Sequence, residues 1–512
     1  MHVVVIGHGM VGSRLVDELV SRTEDASVTV LGAEHHEPYN RVLLSELVAG
    51  HIGATSLTLP APANRHVTVH RGVAGVEVDR HARTVTASDA RVLAYDVLVL
   101  ATGARARIPD ITGLDPLPAH VHPLRTVDDA HAIVAAARTG TRAVVIGAGV
   151  LGLEVACGLA ERGLEVTLVH GGPHLMDRQI DADAARAVEH GLQHLGIAVR
   201  VGQRPREVVA SADGVSGVLL PDGEHLATDL LVLSTGTVPE TDLAARAGLA
   251  VGRGIVVGPD GATSDPAVFA IGDCAQPPEG GTGLIAQGWD QARRLAAMLA
   301  DPGSLPGLTP NQVGTDVVRL KAHGLEVVTM GISGSAVASP GAHRAVRLSD
   351  PATGRHVEVV VAAGVVVGAT CVGASTVAAD LTAAYTRQTP VPSDPAQLLL
   401  RPVRGAGTEV EPSVTLMPDR ATICRCNGVT KGEVSARWTQ GARTVEEIAL
   451  TTRATTGCGG CTDAVCGLLE WLAKSTDLPE PEAEPSGATA RRAQATSSLP
   501  MRTLQTSGPS SR

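Results

Sequence analysis

The first twelve residues carry the motif that most constrains the fold of this chain. Four apolar β-forming residues, Val3–Ile6, run directly into a Gly-x-Gly-x-x-Gly motif, and an amphipathic helical pattern follows. This order predicts a strand, a tight turn and a helix. Gly7 allows the turn, Gly9 lets the backbone approach a pyrophosphate, and Gly12 lets the helix pack closely on the strand. Glu34 follows at the distance where an acid binds a ribose, so the segment predicts a dinucleotide-binding βαβ unit.

A second copy of this motif lies further along the chain. Another apolar strand pattern leads into Gly147, Gly149 and Gly152, and a helical pattern follows it. Each copy is also followed by an apolar strand that ends in small residues, at Ala101-Thr102-Gly103 and at Ser234-Thr235-Gly236. The carboxyl ends of such strands line the nucleotide crevice of an open α/β sheet. This internal duplication predicts two dinucleotide sites in one chain, with electron transfer between them.

Composition limits the other classes of function. At 512 residues the chain is long enough for about three domains. Its formal net charge of −11 argues against binding to nucleic acid or to an anionic membrane surface. No basic leader precedes the first strand, and eight cysteines are too few for a disulfide scaffold of this length, so we expect a cytoplasmic protein.

One uncharged segment is long enough to cross a membrane. Val359–Ala379 holds 21 residues without a charged side chain. Gly364 separates two valine triplets within it, however, which is typical of a strand, a turn and a second strand. We therefore predict a β-hairpin here and no membrane span.

Four of the eight cysteines form a cluster of their own in the last hundred residues. Cys424 and Cys426 form a Cys-x-Cys pair, and after 31 residues Cys458 and Cys461 form a Cys-x-x-Cys pair. Four thiolates converging from two turns suit a [2Fe–2S] cluster, in which each iron takes two cysteines. Structural zinc also binds four cysteines, although it usually has longer spacing within each pair. The spacing favours iron–sulfur and leaves zinc as the alternative.

Taken together, these motifs resemble a known family. The two glycine motifs, the Ala-Thr-Gly strand end and Gly272-Asp273, in this order along the chain, resemble the two-dinucleotide-domain flavoprotein oxidoreductases of the glutathione-reductase-like type. Residues 38–45 (PYNRVLLS) and 175–179 (LMDRQ) are similar to the narrower group of assimilatory nitrite reductase large subunits and nitrate reductase electron-transfer subunits. The cysteine segment resembles the bacterioferritin-associated-ferredoxin-like [2Fe–2S] domain.

The resemblance implies the cofactors, which are FAD on the first fold, NADH or NADPH on the second, and a [2Fe–2S] cluster. It implies Glu34 on the adenosine ribose of FAD and Asp273 on the ribitol. Arg41 and Thr102 would lie near the flavin, and Glu154 beside the nicotinamide. Two simpler interpretations stay open, because Arg41 can be a plain surface charge and an acid in the first turn of a helix, as Glu154 is predicted to be, often only complements the helix dipole. The implied cofactor-binding residues are Gly7, Gly9, Met10, Gly12, Glu34, Arg41, Ala101, Thr102, Gly103, Gly147, Gly149, Gly152, Glu154, His170, Gly236, Gly272 and Asp273, and the implied metal ligands are Cys424, Cys426, Cys458 and Cys461.

The choice between NADH and NADPH stays open in the sequence. The second ribose position, at the end of the strand that begins at Glu165, is His170. NADH specificity normally uses Asp or Glu there, and NADPH specificity uses an Arg. Neither stands at that position, although Arg178 lies downstream, and the preference for NADH rests on the family resemblance alone.

The predicted fold class is α/β, with two Rossmann-like three-layer dinucleotide-binding domains, a small α+β domain and a small helical [2Fe–2S] domain. The resemblance implies that the FAD-binding domain is discontinuous. The C-terminal tail has almost no large apolar residues and is predicted to be disordered. The predicted boundaries are 1–112 with 238–310 (FAD), 113–237 (NAD(P)H), 311–400 (small α+β), 401–419 (linker), 420–475 ([2Fe–2S]) and 476–512 (tail).

The three expected cofactors together predict an electron relay. A nicotinamide gives up two electrons as a hydride, an iron–sulfur cluster accepts one at a time, and a flavin can do both. We therefore expect electrons to pass from NAD(P)H through FAD and [2Fe–2S] to a separate acceptor. No cysteine follows Cys466, so we expect no sirohaem domain, and the expected acceptor is a nitrate or nitrite reductase catalytic subunit. The alternatives are a reductase for a small rubredoxin or ferredoxin, and an iron–sulfur sensing or binding module fused to a flavoprotein.

Overall fold

The computed structural model describes most of the chain up to residue 476. The described residues are 1–59, 64, 66–301, 316–333, 343–350, 352–399, 417–419, 421–424, 429–456 and 460–476. Cys426, Cys458 and nearly all of the predicted linker and tail lie outside them.

The part of the chain that the structure describes contains 27 strands and 11 α-helices. Up to residue 106 the elements are β1 (His2–Ile6), α1 (Met10–Arg22), β2 (Ser27–Gly32), α2 (Leu44–Ala49), β3 (Val67–Arg71), β4 (Gly75–Asp79), β5 (Thr84–Ala87), β6 (Val92–Ala94), β7 (Val97–Leu100) and β8 (Ala104–Ala106). The next are β9 (Val121–Pro123), α3 (Val127–Ala137), β10 (Arg142–Ile146), α4 (Val150–Glu161), β11 (Glu165–His170), α5 (Ala182–His194), β12 (Ala198–Val201), β13 (Glu207–Ser211), β14 (Gly214–Leu219), β15 (His225–Ala227), β16 (Leu230–Leu233), β17 (Thr237–Pro239) and α6 (Asp242–Arg246). The remainder are β18 (Ile255–Val256), β19 (Val268–Ala270), β20 (Ala275–Gln276), α7 (Ile285–Ala300), β21 (Val318–Arg319), β22 (Val327–Gly331), β23 (Arg344–Asp350), β24 (Arg355–Ala362), β25 (Val365–Val372), α8 (Ser375–Arg387), β26 (Thr422–Cys424), β27 (Val429–Thr430), α9 (Lys431–Thr439), α10 (Val445–Thr452) and α11 (Thr462–Thr476).

Two parallel five-stranded sheets share one plan, as the duplicated motif predicts. The first has the order β3-β2-β1-β7-β19, and the second has the order β12-β11-β10-β16-β9. In each copy the strand before the glycine motif is central, and a three-stranded antiparallel sheet, β4-β5-β6 or β13-β14-β15, precedes the fourth strand. The edge strands differ in origin, because β19 follows the second fold in the chain whereas β9 precedes it. The first fold is therefore discontinuous.

The chain crosses between the two folds through neighbouring segments. β8 follows the first sheet, and β17 follows the central strands of the second. The two strands pair in antiparallel fashion, with Ala104 opposite Pro239 and Ala106 opposite Thr237. The outgoing and returning crossings therefore lie side by side.

Alternating residues of the central strand β1 pack on opposite faces of the first sheet. Val3 and Val5 pack with Leu15 and Leu19 of α1, on the side that α7 also covers. Val4 packs on the other face, in a cluster with residues of β5, β7 and β19. Burial of each such side chain contributes about 1.5–3 kcal/mol, and these two cores are built mainly from aliphatic residues.

The third unit is an antiparallel sheet of the order β21-β22-β25-β24-β23, against which α8 packs. The turn between β24 and β25 contains Gly364 at a φ of +76°, so the predicted hairpin is confirmed. Within the described ranges, no helix is both long enough and apolar enough to span a bilayer.

The last unit is a small cysteine-bearing module formed by β26, β27 and the helices α9, α10 and α11. Two of its helices begin with reciprocal capping boxes, Thr430 with Glu433 and Thr444 with Glu447. Each box satisfies backbone N–H groups that a helix start leaves unpaired. These caps fix where α9 and α10 begin.

Candidate functional site

The first glycine of each motif is held in a conformation that other residues rarely adopt. Gly7 has a φ of +115° and Gly147 a φ of +108°. A Cβ on Gly7 would lie 2.1 Å from the carbonyl oxygen of Ala101, and a Cβ on Gly147 would lie 2.2 Å from that of Ser234. Both turns therefore require glycine, for the same two reasons.

The other glycines of each motif divide into a packed position and an open one. A Cβ on Gly12 would lie 2.1 Å from the oxygen of Gly7, and the equivalent distance at Gly152 is 1.8 Å. A Cβ on Gly9 or Gly149 would meet no described protein atom within 4 Å. Such a position suits close approach of the backbone to a pyrophosphate, so both loops fit a dinucleotide.

The helices behind the two loops begin without a side-chain cap. α1 begins after Gly9 and α4 after Gly149, and a glycine has no side chain that could accept a hydrogen bond from the first turn. Thr126, by contrast, caps α3 with its hydroxyl. His8 Nδ1 in the first loop is also buried with no partner among the described residues. Uncapped N–H groups and an unpaired buried nitrogen are groups that a bound phosphodiester ligand satisfies.

Glu34 lies in a compact polar cluster beyond the end of β2. Its carboxylate accepts a hydrogen bond from the Tyr39 hydroxyl at 2.7 Å and forms an ion pair with Arg41. Arg41 is 22% exposed, lies over the Tyr39 ring and donates to the carbonyl oxygen of Arg125 at 3.0 Å. Arg41 is therefore not a plain surface charge. Its placement near the flavin stays a prediction.

The residues assigned to the ribitol and flavin lie where the strands of the first sheet end. Asp273 accepts a hydrogen bond from Arg125 at 2.7 Å, and Thr102 donates to the carbonyl oxygen of Glu240 at 2.9 Å. Ala101 precedes Thr102 and contacts Gly7 through its carbonyl. The structure thus brings together the first glycine loop and the residues that follow β7 and β19. The neighbouring Gly103, Gly236 and Gly272 have φ values of +72°, +94° and +77°, and Met10 is buried with Leu59 and Trp289.

Glu154 is almost fully buried and joins three parts of the chain. Its carboxylate accepts hydrogen bonds from Ser45 at 2.6 Å and from the Lys321 ammonium and backbone N–H at 2.7 and 3.0 Å. Ser45 belongs to α2 and Lys321 follows β21. α4 begins at Val150, so Glu154 lies in its second turn and the interpretation as a first-turn dipole complement is wrong. Glu154 instead forms a buried ion pair with Lys321.

The second ribose position holds a histidine with an acid beside it. His170 Nδ1 accepts a hydrogen bond from the Ala148 N–H at 3.3 Å, so its proton lies on Nε2 in the neutral ring. Asp177 Oδ1 lies 3.5 Å from that Nε2. Sequence reasoning misses Asp177 as a site residue, because the acid comes seven residues after the strand end, although it lies within the LMDRQ segment that carries the family resemblance. A carboxylate here can accept from a ribose hydroxyl and repels a 2′-phosphate.

Two of the four predicted metal ligands are described, and both are buried. Cys424 ends β26 at 2% exposure, and Cys461 precedes α11 at 7%. The Thr455 N–H donates to Cys461 Sγ at 3.2 Å. Backbone N–H groups directed at a cysteine sulfur are typical of iron–sulfur sites, where they help to set the potential. The surroundings of Cys461 are therefore those expected of a cysteine that binds an iron–sulfur cluster.

Comparison with known proteins gives two family matches. Residues 1–294 match the pyridine nucleotide-disulphide oxidoreductases, and residues 422–471 match the BFD-like [2Fe-2S] binding domain. The second match spans all four predicted ligands, so the iron–sulfur interpretation is supported over zinc. The expectations of FAD, NAD(P)H and a [2Fe–2S] cluster are confirmed by these matches.

The chain is also similar to individual proteins. It is 31% identical to the nitrite reductase [NAD(P)H] of Bacillus subtilis and 30% identical to the assimilatory nitrate reductase electron transfer subunit of the same organism, over 91% and 94% of this chain. It spans only 57% and 61% of those two relatives. The solved covalent putidaredoxin reductase–putidaredoxin complex matches with a TM-score of 0.69 and 27% identity, over 78% of this chain and 95% of that chain.

Proposed function

This chain belongs to the pyridine nucleotide-disulphide oxidoreductase family, and we propose that it passes electrons from NAD(P)H through FAD and a [2Fe–2S] cluster to the catalytic subunit of a nitrate or nitrite reductase. The observation that carries the proposal is that one chain joins two glycine loops of the same geometry to a cysteine module of the [2Fe-2S] type. The two loops accept one dinucleotide each. The module offers the electrons an exit.

The protein residues have mainly positioning roles in this scheme. The two glycine loops and the uncapped starts of α1 and α4 bind the pyrophosphates. Glu154, fixed by Ser45 and Lys321, is a rigid carboxylate at the boundary between the two folds. When bound, FAD supplies the exchange between hydride transfer and single-electron transfer.

The cysteines near the nucleotide folds do not suit the thiol chemistry of disulfide reductases. No cysteine precedes Cys157 in the sequence. Burial raises the pKa of the Cys157 thiol to about 12 and also raises that of Cys274. Because a thiolate is the reactive form, these thiols are poor redox partners at neutral pH. These thiols therefore give the electrons of the flavin no exit, whereas the [2Fe–2S] module offers one.

The identity of the acceptor is supported by the relatives. One of them is a nitrate reductase electron transfer subunit, and this chain matches it over 94% of its own length. A second candidate is a small redox protein, which the 95% coverage of the putidaredoxin reductase structure favours. A third possibility is that the module only senses or binds iron–sulfur clusters, in which case electrons would bypass it.

An anaerobic titration tests the relay. NADH is expected to bleach the flavin absorbance and then to produce the EPR signal of a reduced [2Fe–2S] cluster. Cys424→Ser is expected to keep the first event and lose the second. Turnover with nitrate reductase and with a small ferredoxin then separates the two acceptors. Flavin bleaching without a cluster signal in the iron-loaded wild-type protein, or full turnover in Cys424→Ser, contradicts the relay.

A further inference from the structure

The cysteine-bearing module contacts the first nucleotide fold at two specific points. Asn40 Nδ2 donates a hydrogen bond to the carbonyl oxygen of Thr456 at 2.8 Å, although the two residues are 416 positions apart. Arg453 forms an ion pair with Asp17 on α1. Both contacts come from the segment between α10 and α11, which leads to Cys461.

Asn40 is well placed to act as a fixed anchor. Its side chain is buried at 1% exposure. Its Oδ1 accepts from the Val42 N–H at 3.0 Å, which caps the short 3-10 helix Arg41–Leu43. Arg41, the partner of Glu34, directly follows Asn40, and Ser45, the partner of Glu154, lies in the next helix, α2. The module thus contacts the segment whose side chains bind both Glu34 and Glu154.

The segment that faces Asn40 also contacts a cluster ligand. Arg453 and Thr455 both have left-handed backbone conformations, with φ values of +64° and +67°. Such conformations are unfavourable for residues with side chains and persist where the surrounding structure requires them. Here they direct the Thr455 N–H to Cys461 Sγ at 3.2 Å, while the Thr456 carbonyl faces Asn40. One peptide link and two hydrogen bonds therefore connect Asn40 with Cys461.

The ion pair is shielded from water. The side chains of Arg453 and Asp17 are 24% and 21% exposed. Exposed pairs contribute little, whereas removal of one partner from a shielded pair leaves a poorly solvated charge. Arg14 on the same helix repels Arg453, so the pair adds only part of its attraction to the hydrogen bond that holds the module.

We propose that Asn40 and Asp17 form an internal docking site for the [2Fe–2S] module, and that Asn40 is a positioning residue for transfer of electrons from the flavin to the cluster. The inference rests on the proposed function and adds the surface on which the relay depends. In the step that docking serves, one electron leaves reduced FAD and reduces one ferric iron of the cluster to ferrous iron, with no bond made or broken. The partner that fits this surface is the chain's own module.

The test compares two docking variants with a matched control. Asn40→Ser keeps an oxygen that can cap the 3-10 helix but is too short to reach Thr456, and Arg453→Gln removes the charge. Arg437→Gln is the control, because Arg437 donates to Gln440 inside the module. In anaerobic stopped-flow mixing with NADH, the rate of cluster reduction relative to flavin bleaching is expected to fall about fivefold in each docking variant. The charge-swapped pair Asp17→Arg with Arg453→Asp is expected to recover part of the rate.

A second readout does not depend on turnover. Hydrogen exchange of the backbone amides in residues 38–45 is expected to rise by a similar factor in both docking variants, with iron and sulfide content unchanged. Equal exchange and equal relative rates in the docking variants and in Arg437→Gln would overturn the docking site. If NADH fails to reduce the cluster of the wild-type protein, the proposed function fails, and the exchange data still decide whether the module docks.

Discussion

Loss of the Lys321 ammonium is expected to destabilise the boundary between the two nucleotide folds. The ammonium lies 2.7 Å from a Glu154 carboxylate whose side chain is only 2% exposed. Breaking a buried ion pair by removing one partner costs about 3–5 kcal/mol. Two other donors, Ser45 and the backbone N–H of residue 321, remain in Lys321→Met, so we expect the lower end, about 3 kcal/mol. For a domain of about 150–250 residues, a loss of this size lowers the melting temperature by about 9 °C in a calorimetric scan.

Two further variants decide whether the buried charge is the cause. Adding Glu154→Gln to Lys321→Met removes the unpaired charge and is expected to restore most of the lost melting temperature. Arg186→Met breaks an exposed pair with Asp183, whose side chains are 71% and 46% exposed, and is expected to change the stability by less than about 0.5 kcal/mol. The reasoning is refuted if Lys321→Met and the Arg186→Met control have the same melting temperature, or if the double variant regains none of the lost melting temperature.

Three other predictions follow from the site. Gly149→Ala is expected to melt like the wild-type protein, since its Cβ would meet no described atom within 4 Å, yet to weaken NADH binding in a fluorescence titration; a lower melting temperature with normal binding would contradict this. The His51 ring donates hydrogen bonds to the carboxylates of Glu46 and Glu161, which raise the pKa of His51, so His51 stabilises the fold below its unfolded pKa and loses this effect as the pH rises through the folded value. His51→Gln should therefore lower the melting temperature at about pH 6 and not at about pH 9. A difference that does not depend on pH would exclude the ion pairs of His51 as the cause. Asp177→Asn is expected to reduce the preference for NADH over NADPH in kcat/KM, and unchanged discrimination would remove Asp177 from coenzyme selection.

The glycine motifs could be predicted from sequence because their geometry is decided locally. The positive φ of Gly7, the open position at Gly9 and the contact of Gly12 with the oxygen of Gly7 all fall within six residues. The start of α4 was less readable. It begins at Val150, too early for Glu154 to lie in the first turn as predicted, because an N-cap glycine offers none of the side-chain signals that mark a helix start.

The contacts between distant segments could not be predicted in this way. Lys321 lies 167 positions from Glu154, and Thr456 lies 416 positions from Asn40. No periodicity or spacing rule connects such pairs, because they are set by how whole units pack. Lys321 and Asn40 in particular carry common residue types whose local sequence does not identify their partners.

The paired crossing strands β8 and β17 suggest how such a chain can be assembled. Ala106 and Thr237 face each other across an antiparallel ladder, as the two residues flanking a hairpin loop do. Antiparallel neighbours of this kind need only a two-residue connection. The whole nicotinamide-binding half thus occupies the place of a tight loop, and a gene segment copied into that loop would leave the pairing of its host unchanged.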